Sequence, residues 1–169
     1  HVFNHAVFKS LLFMGAGSVV RAVGSREMDA MGGLIHKMPY TAMTFLVGAA
    51  AISALPPLNG FISEWMTLQA LFFLPVAIPG IAGKIYGGLL FIMLGMTASI
   101  VAACFVKTFG ITFLAKPRSK KAQVAKEAPK ASTIPMAALA LVCLGLGLWP
   151  QFLLGLIAKV LEPFAGVVA

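Results

Sequence analysis

Charge is what this sequence most lacks. Only 11% of its 169 residues are Asp, Glu, Lys or Arg, and Asp and Glu together number five. Soluble domains are about a quarter charged and nearer half apolar. Here 60% of residues are hydrophobic and the mean hydropathy is +0.96. A soluble helical bundle is excluded, because it would need more polar positions to cover its outside. Cysteine is almost absent. Cys104 and Cys143 stand alone in apolar stretches and read as small packing residues, not as a disulfide or a metal site. Two thiols cannot by themselves ligate a nickel–iron centre or an iron–sulfur cluster, so any redox chemistry lies elsewhere. The sequence also lacks a Gly-rich phosphate loop, a CxxC pair, and HExxH and GxSxG motifs. No cofactor and no metal is expected on this chain.

What remains is an all-α, polytopic transmembrane bundle. A hydrocarbon core of roughly 30 Å takes about 20 helical residues, and the apolar stretches divide on that scale. Spans are expected at about 1–20, 40–73, 85–109 and 133–149. Pro39 followed by Tyr40 and Thr41 reads as a helix start. The 40–73 stretch is too long for one ordinary span and is interrupted at 55-LPPLNG-60, where Pro56 and Pro57 remove amide donors and Gly60 weakens the helix. It is expected to be one discontinuous helix with an unwound elbow at 55–60, the alternative being a plain turn between two helices; the second half of only about 13 residues, short for a span by itself, favours the broken helix. Such breaks at membrane depth are tolerated inside protein or beside water. The small-residue runs 48-GAAAISA-54 and 95-GMTAS-99 allow close helix contact. The 75–84 stretch is expected to be a short loop. The 151–169 tail reads as an interfacial helix or a further span. The chain opens on His with no signal-peptide pattern, and the expectation is a C-terminal piece of a longer polypeptide.

The formal charge is +8, and most of the excess lies in 116-KPRSKKAQVAKEAPK-130. Beside membrane helices such a run marks a cytoplasmic loop rather than nucleic-acid binding. Alternation then puts 21–38 and 110–132 in the cytoplasm and 75–84 outside. Both Lys/Arg-rich loops fall on one side.

His1, His5 and Lys9 recur every four residues. On a helix each step turns about 40° and climbs roughly 6 Å, so the three form one slanted stripe. Ionisable residues in a membrane helix are costly and usually face protein or water. Histidine titrates near neutrality, and a desolvated Lys switches readily between charged and neutral forms. The stripe therefore suits a proton relay. Glu64 follows the elbow and has no charged partner near it in sequence; only Ser63 stands beside it to hydrogen-bond.

HxxxHAxFKxLLFxGAGSV and DxMGGLxxKMPxTAxxFLVGAxAISALPPLNGFISEW, at about residues 1–75, resemble the antiporter-like proton-conducting subunits of respiratory complex I, multi-subunit cation/proton antiporters and membrane-bound hydrogenases. ISALPPLNGFISEW followed by TLQALF is most similar to the hydrogenase-4 component B and formate hydrogenlyase subunit 3 branch. The resemblance implies about fourteen or more helices in two inverted repeats, each with a broken helix, of which this chain would hold part of the second. It implies a polar axis in which His1, His5 and Lys9 match a His-His-Lys stripe and Glu64 a terminal ionisable group. It also implies partners: other membrane subunits, peripheral hydrogenase or quinone-reducing subunits, and the bilayer of the inner membrane. The expected function is proton translocation in a hydrogenase or complex I-like assembly. A sodium or potassium/proton antiporter subunit and a purely structural membrane anchor are the alternatives.

Overall fold

A computed structural model describes residues 1–114 and 116–165, with side chains as far as Glu162. Every regular element among the described residues is helical. The chain forms α1 (Val2–Val23), α2 (Pro39–Ile52), α3 (Asn59–Ala77), α4 (Ile81–Phe109), the short α5 (Lys120–Gln123), α6 (Lys130–Leu148) and α7 (Pro150–Ala165). Among the described residues four helical stretches are long and apolar enough to cross a membrane: Val2–Val23, Asn59–Ala77, Ile81–Leu114 and Lys130–Leu148. The transmembrane helical bundle expected from the sequence is the fold observed.

The bundle is built on α1, α2 and α6. α1 stops where Gly24 takes a left-handed φ of 71° and returns its N–H to Val20 O at 2.7 Å, the conformation a glycine adopts without Cβ strain. α1 and α2 approach through small residues: a Cβ on Gly15 would stand 2.8 Å from Phe45, and one on Gly48 would stand 3.0 Å from Leu12. Close backbone contact of this kind replaces the hydrophobic drive that lipid removes. Phe8, Leu11, Leu58, Met136 and Cys143 are buried together where α1, α6 and the α2–α3 connection meet. Cys143 is thus a packing residue, while Cys104 is free and exposed.

The interruption of the second apolar stretch differs in place from the expectation. α2 ends at Ile52 and α3 begins at Asn59, so the elbow is 53–58. Pro56 and Pro57 lie in it, joined by a cis peptide bond. Gly60 does not; it sits in the first turn of α3. The reason is proximity: a Cβ there would fall 1.8 Å from Ala51 O, so glycine is required for the two half-helices to meet. The elbow satisfies its own amides, with Ala54 N donating to Ala51 O, Leu55 N to Ala50 O and Leu58 N to Leu55 O. The second half is also longer than expected. α3 has 19 residues because it continues through Pro75 to Ala77, and it meets the length of a span unaided.

Two other expectations need correction. The 75–84 loop shrinks to 78–80, since helix extends into it from both sides. The small-residue run 95–99 is mostly exposed: Gly95 has no described atom within 4 Å of a built Cβ and Met96 is exposed, while Ala98 is half-buried. By contrast, the tail is helical through α7 as far as Ala165, and 166–169 lie outside the described residues.

The basic stretches 21–38 and 110–132 meet at one end of the bundle. Ser119 Oγ donates to Ala30 O at 2.7 Å, Arg118 N to Met31 O at 3.3 Å, and Arg118 faces Asp29 at 3.6 Å.

Candidate functional site

The stripe on α1 lies beside the packed face and drifts away from it. Asn4, Phe8 and Leu11 are buried against the bundle. At about 100° of rotation per residue, His5 sits roughly 100° from Asn4 and Lys9 roughly 140°. His1, His5 and Lys9 are accordingly exposed, so the expected buried axis is open within this chain. The rings of His1 and His5 are 5.9 Å apart, and Lys9 Nζ lies 5.4 Å from the centre of the Phe13 ring, within reach of a cation–π contact. Among the described residues no side-chain hydrogen bond joins the three; His5 N donates to His1 O at 2.7 Å as part of the helix backbone.

His1 is the member that reaches α3. Ser63 donates its hydroxyl to Gly60 O at 3.1 Å, and its oxygen lies 3.1 Å from His1 Nδ1. Asn59 O stands 3.3 Å from the same hydroxyl, and the direction of the His1–Ser63 contact follows the tautomer of the ring. Glu64, next in sequence, is half-buried and makes no hydrogen bond or ion pair among the described residues. The structure thus brings the histidine end of the stripe to the break, and leaves Lys9 and Glu64 unjoined.

A polar pair beneath this contact went unread in the sequence. Asn4 and Asn59 are 6% and 0% exposed. Asn4 Nδ2 donates to Asn59 O at 3.2 Å, while Asn59 Nδ2 donates to Asn4 O at 3.4 Å and to Asn4 Oδ1 at 3.2 Å. Asn59 Oδ1 is buried and accepts nothing among the described residues. A buried amide is costly without partners and specific with them, so this pair ties α1 to the start of α3. The available signal was an Asn in each of two apolar stretches, one of them beside the prolines. A cavity of about 340 Å³ opens alongside, lined by His1, Asn4, Ser63 and Thr67 together with apolar side chains of α3, α6 and α7.

Apolar spans with a proline-containing break and ionisable groups on the adjoining helix define a polytopic membrane protein built around a discontinuous helix. Residues 1–78, just under half of the chain, match the family described as NADH:quinone oxidoreductase/Mrp antiporter, TM. The chain is 42% identical over 164 residues to hydrogenase-4 component B of Escherichia coli (strain K12), covering 97% of this chain and 24% of that protein. It is 40% identical over 158 residues to formate hydrogenlyase subunit 3 of the same organism, covering 94% of this chain and 26% of that protein. Among solved structures it is similar to the membrane-bound sulfane sulfur reductase, an archaeal respiratory membrane complex, with a TM-score of 0.66 and 26% identity over 85% of this chain and 22% of that one. The chain therefore spans about a quarter of the length of the curated relatives it matches.

Proposed function

We propose that this chain is the part of a proton-translocating membrane subunit that carries the second half of its polar path, in a hydrogenase or complex I-like assembly. The observation that carries the reading is the contact of His1 with Ser63 across the break, one residue from Glu64. His1, His5 and Lys9 pass protons along α1, with Lys9 the central carrier and Glu64 the exit group. Electron transfer in peripheral redox subunits changes the local field or hydration and so drives the transfer. The exposed stripe is then covered by other helices of the same assembly, and the open position of Lys9 suits that arrangement. The subunit sits in the inner membrane with 21–38 and 110–132 facing the cytoplasm, which the shared end of these two basic stretches supports.

Lys9→Ala in the full-length protein, with the redox reaction intact, abolishes proton pumping by the reconstituted complex; normal pumping would remove Lys9 from the path. Lys9→Arg also impairs transfer, because Arg hardly ever gives up its proton. The antiporter half of the matched family's description favours a second reading, a sodium or potassium/proton antiporter subunit. Under that reading activity requires sodium or potassium and fails with a proton gradient alone. A membrane anchor without transport would keep coupling intact in a Lys9→Ala/Glu64→Gln double variant and lose only assembly.

A further inference from the structure

At the other end of α1 a second polar recess stands apart from the path just described. A cavity of about 300 Å³ opens between the end of α1, the start of α6 and the segment before it, and its lining includes Ser18, Arg21, Lys126, Glu127 and Ser132. Arg21 and Lys126 are exposed and make no hydrogen bond or ion pair among the described residues. Glu127, the one acid in the wall, is already engaged: it accepts from Tyr40 N at 2.8 Å, Thr41 N at 3.3 Å, the Thr41 hydroxyl at 2.5 Å and Ala128 N at 2.9 Å. The recess is left with two free cations and a hydroxyl.

Its depth identifies what it meets. Arg21 lies in the last turn of α1, and α6 begins at Lys130, so the opening stands where two spans leave the hydrocarbon. Lipid phosphates occupy that level, and basic pockets between helices there suit anionic headgroups. We propose that this cavity binds the phosphate of an anionic phospholipid, bracketed by Arg21 and Lys126, with the Ser132 hydroxyl donating to it.

The test is thermal unfolding of the full-length subunit in its purified complex, in detergent. Short-chain phosphatidylglycerol, phosphatidylcholine of the same chain length, and inorganic phosphate are added separately. Phosphatidylglycerol alone is expected to raise the midpoint by a few degrees, as binding to the native state requires. Arg21→Gln/Lys126→Gln loses the rise, while Lys116→Gln/Lys120→Gln, with the same charge loss outside the cavity, keeps it. Should the first variant fail to assemble, Ser132→Asp sets a carboxylate between the cations and is expected to abolish the rise in a folded complex. The proposal is overturned if phosphatidylcholine works equally well, if inorganic phosphate alone reproduces the effect, if the outside variant loses the rise, or if the cavity variants retain it.

Discussion

Single atoms decide the approach of the two half-helices. A methyl group on Gly60 would collide with the Ala51 carbonyl, and one on Gly147 would meet Pro57 O at 2.0 Å. Both neighbours are backbone and cannot rotate away. Gly60→Ala and Gly147→Ala should each cost about 1–3 kcal/mol of overpacking or more, read as a lower unfolding midpoint of the purified subunit. Gly145→Ala, with open space at its Cβ, is the matched control and should be nearly silent. The sequence showed Gly60 only as a helix weakener among prolines. Its actual demand comes from a carbonyl nine positions earlier, and no periodicity or propensity carries that information. The same holds for Asn4 and Asn59, whose pairing depends on how α1 and α3 cross. The His1-His5-Lys9 spacing, by contrast, was legible because it is a property of one helix.

At the scale of elements, the start of α2 owes its order to a distant acid. Pro39 presets the first helical turn, as the sequence indicated, yet the bare amides of Tyr40 and Thr41 are capped by Glu127. A carboxylate there also complements the positive end of the helix. Glu127→Ala should cost about 0.5–2 kcal/mol, the range for losing an N-cap, and Glu127→Gln less, because it keeps an acceptor. Thermal unfolding of the two variants side by side checks the order. The apolar stretches were legible as helices from length and hydropathy, while their ends were not. Pro75 and Pro135 lie within α3 and α6, so proline did not end a helix there, and the 75–84 stretch became mostly helix. In α4 the mismatch is of another kind. Its small residues read as a packing seam, and among the described residues most of that run is exposed.

For the molecule as a whole, the two basic stretches form one surface, and the 78–80 connector lies a full helix away. α4 alone separates the connector from residue 110 by 29 residues, or about 43 Å of helix. Orientation can therefore be read with single thiols in a cysteine-free background of the full-length protein, with Cys104→Ser and Cys143→Ala among the changes. Ser25→Cys and Lys120→Cys should label together, from inverted vesicles only, and Pro79→Cys from whole cells. Joint labelling of all three from one side would refute the arrangement.

The long reach of Glu127 also sets an order of events during synthesis. It follows Tyr40 by 87 residues, so α2 is translated, and enters the bilayer, before its cap has been made. At about 5–20 residues per second, that interval is roughly 4–17 s. Through that time the amides of Tyr40 and Thr41 have only water or headgroups to satisfy them. A ribosome halted before residue 127 would leave the first half of the broken helix frayed at its entry, with every later span still to come or newly inserted.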